Sequence, residues 1–213
     1  MKIKVCGMRN SENISSLLAL KPDFVGFIFY NKSKRYVTEF PQIQFPENIK
    51  KVGVFVNERI SKVVEIMNEY QLDLVQLHGD ETPEYCNKLV TSMISTPLNH
   101  QVEIIKAFSV DEKFNFDLTE PYKNQCNYFL FDTKGKEYGG NGIKFNWEIL
   151  QNYKGKTPYF LSGGIGLEEK EALVSFLSSQ ESRNCYAVDV NSRFEDSPGM
   201  KNIDKLREFK NNI

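Results

Sequence analysis

The stretch from Tyr159 to Gly166, YFLSGGIG, runs an apolar strand straight into three glycines, and the helix-forming Leu167-Glu168-Glu169-Lys170 follows. Backbone amides freed at such a turn converge, and a helix N-terminus adds partial positive charge, so the segment suits a phosphate. No Gly-Lys-Ser/Thr comes after it, and the full dinucleotide spacing with a later acidic residue is missing. A small phosphorylated ligand satisfies the motif, and a nucleotide is not required. Two other residues have the chemistry of proton transfer. Cys6 stands between Val5 and Gly7, with Lys4 and Arg9 close in sequence. Positive charge beside a thiol lowers its pKa and favours the thiolate, a competent base. Asp132 is preceded by Tyr128, Phe129, Leu130 and Phe131, a setting whose partial desolvation suits a carboxyl that donates a proton.

Such groups need a scaffold, and the chain alternates short apolar runs with amphipathic ones from end to end. Strands are predicted at 3–5, 24–29, 51–56, 74–77, 102–107, 128–131, 159–161 and 186–188. Helical patterns fall at 12–20, 59–70, 83–89, 147–152, 168–177 and 203–209, with weak signals after Phe29 and Ala107. Ser11 is available to cap the first helix and Thr82 the one that opens at Pro83, where a missing N–H costs nothing. Alternating strands and helices imply a parallel sheet. Eight units in 213 residues fit an α/β, single-domain (β/α)8 TIM barrel spanning 1–213, with an open doubly wound sheet as the competitor. Chemistry in such a barrel sits at the C-terminal ends of the strands. Cys6, Asp132, Ser162 with Gly163 and Gly164, and Asp189 with Asn191 and Ser192 all fall there.

Composition narrows the partners. A net charge of -1 offers no basic stripe for nucleic acid or an anionic membrane surface. No apolar run approaches the roughly 20 residues that span a bilayer, and MKIKVCGMRN lacks a signal-peptide core, so a cytoplasmic location is expected. The four cysteines, Cys6, Cys86, Cys126 and Cys185, form no Cys-x-x-Cys pair, which argues against a zinc site or a dithiol motif.

Several segments together carry a resemblance. KVCGMR at 4–9, SKRYV at 33–37, VQLHGDE at 75–81, FLFDTKGKEYGGNG at 129–142, LSGGIG at 161–166 and VDVNSRFEDSPGMKN at 188–202 resemble the phosphoribosylanthranilate isomerases of tryptophan biosynthesis. The match runs through the chain in the right order. Related phosphosugar barrels of histidine synthesis usually carry aspartate where this chain has Cys6.

The resemblance implies an Amadori rearrangement of N-(5'-phosphoribosyl)anthranilate to 1-(2-carboxyphenylamino)-1-deoxyribulose 5-phosphate, with no metal and no organic cofactor. It assigns Asp132 as general acid and Cys6 as general base. It gives Arg35 the anthranilate carboxylate, and the phosphate to amides of Gly163, Gly164 and the turn at Asn191 and Ser192. Arg193 departs from the family pattern, which has glycine there, and its side chain either adds charge to the phosphate or pairs with Glu195 or Asp196. Asp189 has two available roles, a hydrogen bond to substrate or a brace for its loop. His78 and Gln76 are expected as structural hydrogen-bonders, and the glycine-rich loop at 134–144 as a closing lid. The expected partner is a small-molecule phosphosugar, with the chain a monomer or homodimer. Another phosphosugar isomerase, a neighbouring tryptophan-pathway barrel and a non-catalytic phosphate sensor are the competing readings.

Overall fold

Eight strands lie parallel, each bonded to its successor, and β8 closes on β1. They are β1 (Lys2–Val5), β2 (Phe24–Ile28), β3 (Lys50–Phe55), β4 (Leu74–Leu77), β5 (Glu103–Val110), β6 (Tyr128–Thr133), β7 (Tyr159–Leu161) and β8 (Cys185–Val190). The computed structural model describes residues 1–94, 101–133 and 146–213. Closure decides against the open doubly wound sheet. In the closing register Lys4 stands opposite Asp189.

Among the described residues five α-helices pack outside: α1 (Ser11–Leu18), α2 (Ile60–Tyr70), α3 (Pro83–Ile94), α4 (Lys170–Leu177) and α5 (Ile203–Lys210). The cap of α1 is Asn10 rather than Ser11, because the Asn10 side chain accepts from the Asn13 amide. Thr82 Oγ1 does accept from the Tyr85 amide at the start of α3. The amphipathic run at 147–152 forms a 3₁₀ turn, Trp147–Asn152, and the weak signal after Ala107 becomes another, Phe116–Tyr122. After β2 there is no helix at all through residue 49. Aromatic packing covers the strands there instead: Phe40 stacks on Tyr70 of α2 with ring centres 4.2 Å apart and lies 4.8 Å from Phe27.

Beyond β8 a small antiparallel hairpin, β9 (Glu195–Ser197) and β10 (Met200–Lys201), turns at Pro198-Gly199. Gly199 adopts φ +83°, which only glycine takes without strain. Asn13 of α1 fastens this hairpin by bonding both the N–H and the C=O of Lys201.

The core divides in two. Phe24, Val52, Leu74, Ile105, Ala107, Leu130, Phe160 and Ala187 fill the barrel interior, while a larger cluster lies between strands and helices. Phe24 and Phe160 meet edge to face at 5.2 Å across the lumen. Burying each such ring contributes roughly 1.5–3 kcal/mol, and together they floor the cleft above.

Candidate active site

Strand parity selects the side chains that reach this cleft. Successive side chains on a strand point to opposite faces, so alternate residues share the lumen. Leu130 and Asp132, Phe160 and Ser162, and Ala187, Asp189 and Asn191 are such series, apolar at the bottom and polar at the C-terminal end. With Cys6 directly after β1, Gln76 of β4 and His78 directly after it, and Tyr30, Lys32, Ser33, Lys34 and Arg35 from the loop after β2, they enclose about 510 Å³. Cys6, Arg35, Asp132, Asp189 and Asn191 are thereby brought together. A larger hollow of about 700 Å³ between Trp147 and Phe176 holds none of them, so size does not select the site.

Around Cys6 the electrostatics correct one expectation. Burial pushes the thiol above its ordinary range, and the nearby cations Lys4 and Lys201 oppose that without winning. A sequence neighbourhood of positive charge could not show this, because desolvation depends on the closed barrel. Arg9 contributes nothing here: it donates from Nη2 to the Pro198 carbonyl at 3.1 Å. Lys4 Nζ donates to Asp189 Oδ1 at 2.9 Å. Burial pulls the Lys4 pKa down, but Asp189 and Cys6 beside it outweigh that and hold the ammonium charged. Room for the thiol comes from β2, where a Cβ at Gly26 would lie 2.8 Å from Cys6 Sγ.

Asp132 is buried at the end of β6 and held from two sides. Its Oδ1 accepts from the Thr133 amide at 2.9 Å, and His78 Nε2 stands 3.4 Å from its Oδ2. Gln76 Nε2 meets His78 Nδ1 at 2.7 Å. The hydrogen bonding expected of His78 and Gln76 is thus aimed at the acid candidate. Asp189 both pairs with Lys4 and accepts from Ser162 Oγ at 3.5 Å.

Arg35 is held by a carboxylate. Its Nε donates to both oxygens of Glu195, at 2.9 and 3.0 Å, and Nη2 to Oε2 at 2.6 Å. Glu195 also takes Lys201 Nζ at 2.5 Å and the Gly199 amide at 3.1 Å. Neither Glu195 nor Lys201 was singled out as a site residue from sequence. The available signal was a Pro-Gly turn flanked by opposite charges, the pattern of a hairpin with a cross-strand ion pair.

The glycine loop adjoins the cleft instead of lining it. Gly163 and Gly164 take φ +94° and +68°, and a Cβ at Gly163 would lie 2.1 Å from Thr133 Oγ1. Ser192 begins a short 3₁₀ turn after β8, Ser192–Phe194. A Cβ at Gly166 would stand 3.2 Å from that of Arg193, so the seventh and eighth loops touch. Arg193 is not among the residues of positive φ, and its backbone needs no glycine. Its side chain is exposed. The predicted lid at 134–144 lies outside the described residues. Among the described residues no helix is long and apolar enough to cross a membrane.

A family model described as N-(5'phosphoribosyl)anthranilate (PRA) isomerase matches residues 3–212. The chain belongs to this family. It is 44% identical to an N-(5'-phosphoribosyl)anthranilate isomerase of Parabacteroides distasonis over 98% of this chain and 91% of that one. Among solved structures it resembles the phosphoribosyl anthranilate isomerase of Thermotoga maritima, at 32% identity and TM-score 0.81, covering 100% and 98% of the two chains. It also resembles an isomerase of this family in complex with reduced 1-(o-carboxyphenylamino)-1-deoxyribulose 5-phosphate, at 29% identity and TM-score 0.77, covering 100% and 97%. Family membership, the closed barrel and the cleft at the strand ends agree with one another.

Proposed function

We propose that this isomerase performs the Amadori rearrangement of N-(5'-phosphoribosyl)anthranilate in tryptophan biosynthesis, with Asp132 as general acid and Cys6 as general base, within a single domain spanning 1–213. The observation that carries the assignment is the convergence of the two on one cleft, Cys6 beside the Lys4–Asp189 pair and Asp132 against His78. Asp132 protonates the furanose ring oxygen, the bond from C1' to that oxygen breaks, and the anilino nitrogen lone pair forms a cationic imine. Cys6 then takes the C2' proton, and the electron pair enters the C1'–C2' bond and neutralises the imine. The resulting enolamine tautomerises, its C2' hydroxyl proton leaving and C1' gaining one, to give the ketone.

Burial disfavours a resting thiolate, yet the imine adds a third positive charge beside Cys6, with Lys4 and Lys201, at the moment a base is needed. Its electron-sink character makes C2' acidic enough for a thiolate. Arg35 takes the substrate's aryl carboxylate, and the amides of Gly163, Gly164, Asn191 and Ser192 take the phosphate. Asp189 acts through Lys4.

Conversion of freshly generated phosphoribosylanthranilate, followed by loss of anthranilate-type fluorescence, tests this. Cys6→Ser and Asp132→Asn are each expected to lower kcat by about 10²–10⁴-fold while binding a product analogue as the parent does. A folded wild type with no turnover would sink the assignment.

A further inference from the structure

The hairpin beyond β8 reaches back over the barrel mouth with a carboxylate and an ammonium. Glu195 and Lys201 are cross-strand partners in the β9–β10 pairing, and both side chains are almost completely buried. The anchorage is firm: Asn13 holds the Lys201 backbone, Asn191 Oδ1 accepts from its Nζ at 2.7 Å, and the Gly199 amide donates to Glu195. Arg35 completes the cluster, which holds two positive charges against one negative.

A guanidinium offers five N–H donors in a rigid fork. Glu195 occupies the side bearing Nε and one proton of Nη2. Arg35 therefore keeps its other side, with Nη1, for the cleft that it lines. The aliphatic stem is placed as well, since a Cβ at Gly7 would lie 2.6 Å from Arg35 Cδ and 2.8 Å from Asn191 Oδ1. Gly7 takes φ +78° and directly follows Cys6. Arg35 is thus seated beside the strand end that carries the base.

We propose that Glu195 is a positioning residue for Arg35: held by Lys201, it fixes one side of the guanidinium so that the other presents a fork to an aromatic carboxylate. Lys201 leaves the cluster one positive charge in excess, so that a bound carboxylate meets a net cation rather than a neutral pair. The inference rests on the isomerase reading for the identity of that carboxylate, and its test is built to separate the two.

Charge alone and positioning predict opposite signs. Glu195→Gln removes a negative charge next to an anion site, so a purely Coulombic role lowers KM. Positioning predicts that KM for phosphoribosylanthranilate rises about tenfold with kcat nearly unchanged, the effect of one loosened charge-assisted bond. In an Arg35→Ala background the same substitution is expected to have no further effect, because residues acting through one another are not additive. Equilibrium binding of anthranilate and of inorganic phosphate supplies a readout free of turnover: Glu195→Gln should weaken the first and spare the second. Glu195→Asp, which keeps the charge and withdraws it by one methylene, should fall between Gln and wild type and serves if the Gln variant does not fold. An unchanged or lowered KM, or an equal loss in the Arg35→Ala background, overturns the proposal. A wild type that binds anthranilate and loses it on Glu195→Gln, yet shows no turnover, would refute the isomerase chemistry and keep the positioning role.

Discussion

Lys4 and Lys106 are both buried lysines on barrel strands, and each stands about 3 Å from a carboxylate: 2.9 Å to Asp189 for Lys4, 3.1 Å to Glu81 for Lys106. Their surroundings differ. Lys106 also donates to the carbonyls of Gly79 at 2.7 Å and Ala107 at 3.0 Å, while Glu81 accepts from the amides of Asn57 and Gly79. That pair spends its hydrogen bonds on loop backbone and pins the turns after β3 and β4. Lys4 is placed between Asp189 and Cys6, both of which face the cleft. Burial and pairing are equal in the two regions, so neither marks the reactive one. In the proposed chemistry, what marks it is a neighbour, Cys6, that takes a proton from substrate.

Replacing each lysine by methionine should break that comparison most sharply. Either change leaves a buried carboxylate unpaired, and each is expected to cost on the order of 3–5 kcal/mol in urea unfolding. Only Lys4→Met should also lower kcat of the folded enzyme, by about 10-fold or more, because a buried cation beside Cys6 is gone. Comparable kcat losses in both variants would erase the distinction drawn between the two pairs.

Lys201 extends the comparison to a third buried lysine. Burial pushes its pKa down to about 8 against the pull of Glu195 and Cys6, with Arg35 adding to the depression. The unfolded value is near 10.4. Below about pH 8 both states hold the proton and the folded chain bears the whole cost; from there to about pH 10 the unfolded state binds more protons, so stability from this group rises with pH. The gain is on the order of 3 kcal/mol, read as wild type minus Lys201→Met in urea titrations across that range. A flat difference would place Lys201 with Lys4, as a lysine whose carboxylate fully compensates burial.

The smallest expected effect lies on the phosphate side. Gly163→Ala must accommodate positive φ and displace Thr133, whose amide holds Asp132 Oδ1. A stability loss of about 1–3 kcal/mol is expected, with a higher KM. A neutral outcome in thermal unfolding and kinetics would show that this loop yields more readily than the strand ends.

Much of this site is legible in the chain because strand parity is local. Once FLFD or YFLS is recognised as a strand end, the inward face of Asp132 or Ser162 follows from a period of two, and the glycine turn announces itself by residue type. Asn10 was missed as a cap because Ser11 is an equally good cap by type, and only backbone geometry separates them. The helix expected from eight repeats is absent after β2 because Phe40 and Tyr70 bury the strand surface without one, through a contact 30 residues apart in sequence.

The alternation of strands and helices, the inward polar ends and the residue types able to exchange protons were legible in the sequence, since these depend on short-range periodicity and side-chain chemistry. Barrel closure decided the rest. It sets Lys4 beside Asp189 across 185 positions, brings Lys201 and Glu195 of the late hairpin onto Arg35, and strips water from Cys6 so that burial outweighs its cations. Ion-pair partners and desolvation are properties of three-dimensional neighbourhood, and residues far apart along a chain acquire one only when the chain closes.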